Sequence, residues 1–263
     1  MITAYHRPRT LDEALALLTQ PNTVPLGGGT LLASRHPTTD SIQVVDLQFL
    51  GLNSLNKKGN DLELGATVTL QQLLESEHCP QALKSAIKLE APINIRNSAT
   101  VAGTLVASDG RSPFATALLS LDAKIETREL ETSDSKDQSL RGELNLQSRI
   151  SNLGDFLPLR PRGLITSIII PLNTKFAFEF VSRTPADKPI ICAALTQWAS
   201  GRTRLALGGY GKSPLLAMDG TEAEGLDAAA RNAYHEANDE WASAEYRMDV
   251  AATLAKRCLE NIS

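Results

Sequence analysis

The sequence predicts an α+β protein in which mixed helix–strand units come first and an antiparallel meander with two closing helices comes last. Helical periodicity behind capping motifs alternates with short apolar runs up to about residue 121. The pattern changes near residue 160, after which strand-like runs follow one another with short turns, as in a meander. These runs cover 165–170, 176–182, 190–199 and 204–209. Helices are predicted over 222–237 and 243–261.

The first elements are a helix and two strands around a glycine loop. Thr10-Leu11-Asp12-Glu13 has the spacing of a capping box, in which the Thr hydroxyl accepts a backbone N–H and the Glu reaches back. It opens an amphipathic helix that ends near Gln20-Pro21. A short strand, Thr23–Leu26, then runs into the glycine loop, and residues 43–47 predict a second strand.

The middle of the chain alternates strands and helices. Residues 61–69 alternate apolar and polar side chains, which predicts a half-buried strand. Thr69-Leu70-Gln71-Gln72 is a second capping box and opens a helix through Glu75. The remaining segments predict helices at 80–88 and 114–121, a polar loop at 91–100, a strand at 100–105 and a solvated hairpin tip or loop at 128–143.

The composition excludes several classes of function. The 263 residues carry 26 Lys+Arg against 30 Asp+Glu, a net charge of −4, which lacks the basic excess of a nucleic-acid binder. No apolar run approaches the ~18 residues of a membrane span, and the N-terminus has no signal-peptide pattern. We therefore expect a cytoplasmic protein without a membrane span.

Cysteine and histidine spacing predicts no metal site. Cys79, Cys192 and Cys258 are scattered and form no CxxC pair, and the four histidines show no ligand spacing. An iron–sulfur cluster or zinc ion held by this chain alone is therefore not expected.

Two glycine-containing loops are the candidate binding segments. Gly27-Gly28-Gly29-Thr30 could form a nest of backbone N–H groups for a phosphate or pyrophosphate, or a tight turn between strand and helix. Residues 95–105 combine Arg96, Asn97 and Gly103, which suits a pyrophosphate or a flavin ring but also an ordinary polar loop. Taken alone, neither segment distinguishes a binding site from an ordinary turn or loop.

Together with four other motifs, the loops occur in a fixed order that resembles the FAD-binding (medium) subunit of molybdenum hydroxylases, the family of carbon monoxide dehydrogenase and xanthine dehydrogenase flavoproteins. The motifs include Val45-Asp46-Leu47, Leu62-Glu63-Leu64-Gly65-Ala66, Ile95-Arg96-Asn97-Ser98-Ala99-Thr100, Ile165-Thr166-Ser167-Ile168-Ile169-Ile170-Pro171 and Ser243-Ala244-Glu245-Tyr246-Arg247. The likeness extends to the end of the chain.

The resemblance implies a two-subdomain FAD-binding fold of the PCMH/vanillyl-alcohol-oxidase type, followed by a C-terminal antiparallel sheet with helices. We expect FAD-binding subdomains over 1–52 and 53–172 and a C-terminal α+β domain over 173–263. The resemblance also implies a heterotrimeric complex, in which a molybdenum-cofactor subunit hydroxylates the substrate. A [2Fe-2S] subunit passes electrons to non-covalent FAD and on to an acceptor.

The resemblance also implies a set of cofactor contacts but no catalytic side chain and no metal ligand in this chain. The expected contacts are Gly27, Gly28, Gly29, Thr30, Leu31, Asn97, Thr100, Gly103, Thr104, Asp109 and Ile165.

The chain departs from the family pattern at cofactor-facing positions. Ala102 replaces a Gly, Thr104 an Asn, and Pro113 an Asp that hydrogen-bonds the cofactor. Glu179 aligns with a position that is often Lys near the flavin, and a carboxylate there would oppose the charge of reduced flavin. The alternative function is therefore a degenerate, flavin-free or weakly binding homologue that acts as an assembly or interaction subunit.

Other residues carry weaker predictions. Arg183 and Asp187 predict a structural ion pair or a flavin-edge contact, and Lys212 a solvated turn. Cys192 is expected to be an inert core thiol. Tyr246 is expected in the core by its helical spacing, and covalent FAD attachment through His36 is not expected.

Overall fold

The computed structural model describes residues 1–34, 41–130, 146–161, 163–185 and 187–262, which form three sheets. The first is parallel, with strand order β1-β3-β2, and consists of β1 (Ile2–His6), β2 (Thr23–Leu26) and β3 (Ile42–Asp46). Helices α1 (Leu11–Leu18) and α2 (Thr30–Ser34) connect these strands. The central strand carries the fully buried Val44 and Val45, and Val45 packs with Ala14 and Leu15 of α1 in a small core.

The second sheet has five antiparallel strands in the order β4-β5-β8-β6-β7. The strands are β4 (Leu55–Lys58), β5 (Asp61–Gly65), β6 (Lys124–Leu130), β7 (Leu146–Asn152) and β8 (Leu164–Pro171). The helices of this region are α3 (Leu70–Glu75), α4 (Gln81–Glu90), α5 (Ile93–Arg96), α6 (Val101–Ala107), α7 (Pro113–Ser120) and α8 (Leu153–Leu159). Residues 131–145, which include most of the predicted 128–143 loop, lie outside the described residues.

The third sheet is the antiparallel meander, in the order β12-β11-β10-β9. Its strands are β9 (Thr174–Val181), β10 (Ile191–Trp198), β11 (Thr203–Gly208) and β12 (Leu215–Gly220), and helices α9 (Leu226–Ala233) and α10 (Ala244–Ile262) follow. Side chains of β10 alternate between two cores. Cys192 and Ala194 belong to the large core around α7, while Ala193 and Leu195 face α9 and α10.

The turn after α6 joins the second sheet's helices to the meander. Gly110 donates its N–H to the Gly211 carbonyl at 3.0 Å and accepts from Gly209 at 2.7 Å. A Cβ on Gly110 would lie 1.9 Å from the Tyr210 carbonyl oxygen, so only glycine fits there. This contact fixes the start of α7, where part of the candidate site lies.

The capping box at Thr69 forms in full, and the one at Thr10 forms in part. The Thr69 hydroxyl accepts from Gln72 N, and the Gln72 side chain accepts from Thr69 N, so this box is complete. The Thr10 hydroxyl accepts from Glu13 N, but the Glu13 carboxylate takes the N–H of Arg9 instead of Thr10.

Three element predictions are wrong. Residues 100–105 are not a strand but the start of α6, because the Thr100 hydroxyl accepts from Gly103 N at 3.1 Å and caps a helix. Run 165–170 does not join the meander but lies inside the second sheet, where β5 and β6 cover its two edges. The polar loop 91–100 contains α5.

The structure also contains elements that the sequence patterns did not indicate: β1, α2, β4, β6, β7, α8 and β12. The meander's fourth strand is therefore β12, whose register against β11 is interrupted by a bulge.

The prediction that Tyr246 lies in the core is also wrong. Tyr246 is 44% exposed, whereas the neighbouring Arg247 is fully buried. Arg247 donates from Nη1 to the carbonyls of Ala237 and Ala242 and from Nη2 to the Asp239 carboxylate. A spacing of four residues drifts around a helix of 3.6 residues per turn, so a stripe drawn at that spacing includes the rim.

Candidate functional site

A cavity of about 580 Å³ lies between the first sheet and the helices of the second. Its walls are the end of β2 with the glycine loop, the end of α4, most of α6 and residues 163–165 at the start of β8. Apolar side chains dominate the lining, as in most ligand pockets of this size.

The two predicted glycine-containing loops meet at this cavity. A Cβ on Gly28 would lie 1.7 Å from the Ser98 carbonyl oxygen, and one on Gly27 would lie 3.0 Å from Thr100 Oγ1. Gly29 has φ +71°, a left-handed conformation that favours glycine. Close backbone contact thus requires Gly28, and the turn into α2 requires Gly29.

The glycine loop presents a row of available donors. Within the described part of the chain, the backbone N–H groups of Gly27, Gly28, Gly29 and Thr30 donate to no protein acceptor. The first bond of α2 runs from Ala33 N to Gly29 O, so the loop's own amides remain outside the helix ladder. Successive unpaired amides of this kind suit an anionic group such as a pyrophosphate.

Other predicted contacts line the same cavity. Thr100 caps α6, and a Cβ on Gly103 would lie 2.8 Å from Thr100 Oγ1. The Thr104 hydroxyl donates to the Thr100 carbonyl at 2.8 Å, so it is held within its own helix. Leu31 lines the mouth, half exposed, and Ile165 contributes a buried side chain from β8.

Asn97 and Asp109 lie outside the cavity lining. Asn97 ends α5 with an exposed side chain. The Asp109 carboxylate accepts from Arg111 N at 2.9 Å and so stabilises its own turn. Their role as cofactor contacts stays a prediction.

The departures from the family pattern fall in unstrained positions. Ala102 lies in the first turn of α6 and is not among the positive-φ residues, so its methyl group costs no backbone strain there. Pro113 is the first residue of α7, where its missing N–H is tolerated, and the Ser112 hydroxyl caps the helix by accepting from Ala115 N.

Glu179, which aligns with a position near the flavin in the family, is not part of the cavity lining. Glu179 accepts from Asn261 Nδ2 at 2.9 Å and so lies toward α10, on the face of the meander away from the cavity. Adjacent residues of a strand point to opposite faces, so an alignment error of one residue reverses such an assignment.

Sequence reasoning missed two charged residues at the cavity, Glu90 and Lys188. The Glu90 side chain is only 7% exposed, and Lys188 Nζ lies 3.4 Å from its Oε1. Oε2 accepts from Ser112 Oγ at 2.6 Å and from Phe114 N at 3.1 Å. One signal was available: a carboxylate at a helix C-terminus opposes the helix dipole, which indicates a tertiary partner.

The remaining predicted residues lie away from the cavity. Arg183 and Asp187 form an ion pair at 3.8 Å, with Arg183 also over the Trp241 ring at 4.4 Å. Lys212 is on an exposed turn, as predicted. Cys192 is fully buried, which confirms its place in the core, and burial raises the pKa of its thiol to about 12. His36 lies outside the described residues.

Two features are absent from the described residues. They contain no group of three or more His, Cys, Asp or Glu side chains arranged to hold a metal ion. None of the described helices is long and apolar enough to cross a membrane.

The fold and the paired glycine loops define a flavin-binding class of protein. Residues 1–173 match the family described as the FAD binding domain in molybdopterin dehydrogenase, and this chain belongs to that family. The match confirms the family, the α+β fold and FAD as the cofactor expected from the sequence.

Similar proteins cover nearly the whole chain. It is 27% identical over 262 residues to the uncharacterized protein YgfM of Escherichia coli (strain K12), covering 97% of this chain and 94% of that protein. It is 26% identical over 285 residues to the carbon monoxide dehydrogenase medium chain of Afipia carboxidovorans, covering 97% and 95%. The solved structure of reconstituted CO dehydrogenase from Oligotropha carboxidovorans matches with a TM-score of 0.80 at 25% identity, over 98% of this chain and 96% of that chain.

Proposed function

We propose that this chain is the flavoprotein subunit of a molybdenum hydroxylase-type oxidoreductase. Its FAD would take electrons from [2Fe-2S] clusters of a partner subunit and pass them to an acceptor, while a further subunit holds the molybdenum cofactor. The observation that carries the proposal is the cavity where Gly27–Thr30, whose four amides donate to no acceptor among the described residues, meets the α6 segment.

The residues present fit the cofactor. The amides of Gly27–Thr30 would bind the diphosphate, since they supply donors without the cost of a buried unpaired charge. Ala102, Thr104 and Ile165 would line the remainder and exclude water. FAD supplies the redox chemistry when bound, by accepting and releasing electrons, so the protein's work is binding, orientation and electrostatic tuning.

Two features support the assignment of clusters to a partner. The three described cysteines are free and buried, and Cys79, Cys192 and Cys258 lie in different places in the fold. The match to a relative named carbon monoxide dehydrogenase medium chain covers 95% of that relative's length. We further propose that subdomains 1–52 and 53–172 clasp FAD, that 173–263 forms the C-terminal domain, and that the free thiols reflect a cytoplasmic location.

The visible spectrum of the purified chain tests the proposal. We expect a yellow protein with close to one FAD per chain, released by denaturation because attachment is non-covalent. A folded chain that stays colourless after incubation with excess FAD would overturn it. That outcome, joined with retained binding of partner subunits, would instead support the flavin-free assembly role.

A further inference from the structure

Of the described residues that line the cavity, Glu90 and Lys188 alone carry ionisable side chains, and they bind each other. The rest of the lining is apolar or carries neutral donors such as the loop amides. Any charge that develops on a ligand in this cavity would therefore be met first by this pair.

The two members of the pair are held differently. Glu90 is buried and keeps two fixed donors, Ser112 Oγ and Phe114 N at the start of α7, whether or not Lys188 is present. Lys188 is 41% exposed, and its backbone carbonyl accepts from Arg111 Nη2 at 3.3 Å. Arg111 in turn lies over the Trp241 ring at 4.3 Å. The Lys188 backbone is thus anchored, while Glu90 sets the position of its flexible ammonium group.

The glycine loop and the charged pair contact opposite flanks of the segment that contains α6. Thr100, which precedes α6, lies beside Gly27, whereas Ser112, which follows α6, donates to Glu90. Seven helical residues separate these flanks by about 10 Å. With the diphosphate on the loop amides, the flavin ring would lie toward the charged pair.

We propose that Lys188 is the cation that faces the flavin and that Glu90 is the positioning residue that moderates it. The inference rests on the function proposed above. Two-electron reduction follows FAD + 2e⁻ + H⁺ → FADH⁻, with electrons from iron–sulfur clusters, and leaves one negative charge on the ring. Lys188 stabilises that charge, and Glu90 cancels part of the effect, so the pair holds the reduction potential at an intermediate value.

The test is the ratio of affinities for reduced and oxidised FAD, measured by titrating the FAD-loaded protein with dithionite against a reference dye. Glu90→Gln should raise the ratio about tenfold in favour of reduced FAD, or roughly +30 mV for a two-electron couple. Lys188→Met should shift the ratio by a similar factor in the opposite direction. Lys188→Arg and the double variant should both stay near wild type.

The control is Glu63→Gln, which removes a carboxylate paired with Lys58 outside the cavity and should leave the potential unchanged. Potentials unmoved by Lys188→Met, or moved in the same direction by Lys188→Met and Glu90→Gln, would overturn the proposal. So would an equal loss of affinity for ADP, oxidised FAD and reduced FAD in Lys188→Met, since the lysine would then serve the diphosphate. A colourless wild-type chain removes the proposed function as well, whereas a yellow one with unmoved potentials removes only this inference.

Discussion

The glycine loop at the cavity and the buried arginine of the C-terminal region differ in how many of their hydrogen-bond donors have acceptors. The loop offers four successive amides that find no acceptor within the described chain. Arg247, which is fully buried, directs both Nη atoms to two carbonyls and a carboxylate close in the chain, and only its Nε has no partner among the described residues. Since buried polar groups are normally satisfied, donors left open at a cavity indicate a ligand, whereas enclosed and paired donors indicate a structural role.

Removal of Arg247 is expected to have the largest effect on stability. Arg247→Met should lower the free energy of unfolding by about 3–5 kcal/mol, because two carbonyls and Asp239 lose a buried cationic donor. Chemical denaturation measures this. FAD content per folded chain should not change.

Arg231→Met is the matched control, since Arg231 pairs with Asp249 at the exposed surface. It should cost less than about 1 kcal/mol. Equal losses from both variants would contradict a structural role specific to Arg247.

The open donors of the loop are tested by Gly28→Ala. The added Cβ would lie 1.7 Å from the Ser98 carbonyl oxygen, so the two loops must separate. We expect FAD occupancy to fall at least tenfold, with about 1–3 kcal/mol of lost stability, read from flavin absorbance and thermal unfolding.

Gly59→Ala is its control, because Gly59 has φ +59° but open space around it. It should cost roughly 1–2 kcal/mol through backbone strain and leave FAD occupancy intact. Normal FAD binding by Gly28→Ala would mean that the contact between the loops is not needed for the site.

Replacing Ala102 with the family's glycine is expected to lower stability and to change FAD affinity little. Ala102→Gly places glycine inside α6 and should cost about 0.5–1 kcal/mol of stability. FAD affinity, measured by fluorescence quenching, should change less than threefold. A large gain in affinity would instead show that the Ala102 methyl group obstructs the cofactor.

The smallest expected effect concerns acid stability of the meander. A hydrogen bond from Arg202, with further help from Arg204, holds the pKa of Asp219 below its ordinary value of 3.8. The interaction of Asp219 with these arginines therefore contributes stability at pH above the unfolded-state pKa of Asp219. This contribution is lost as the pH falls through the lower pKa that Asp219 has in the folded state. Asp219→Asn should flatten that part of the pH–stability curve, whereas an unchanged curve would contradict the coupling.

Local chemistry made part of this fold predictable. The complete capping box at Thr69, the Thr10 hydroxyl cap and the strand before Gly27 depend on residues close in sequence, and all three formed. The segment from Thr100 was predicted incorrectly because its β-branched residues and Gly103 resemble a strand, while the hydroxyl cap and packing of Val101 and Leu105 favour a helix.

Other features depend on distant partners and could not be read from the sequence. β8 is an apolar run whose neighbours β5 and β6 are set by tertiary pairing. Glu90 and Lys188 are 98 residues apart and meet only once the meander docks. Glycine was predictable at position 28, but its reason, the Ser98 carbonyl, was not.

Because the side chains of β10 alternate between two cores, this strand also completes the core of the preceding part of the chain. The family match ends at residue 173, yet α7 is buried on all sides partly by β10 and β11, which come later in the chain. A fragment cut at residue 173 would leave Phe114 and Leu118 without part of their packing partners. The matched region and the C-terminal sheet therefore share one core, and we expect a chain cut at residue 173 to lose stability.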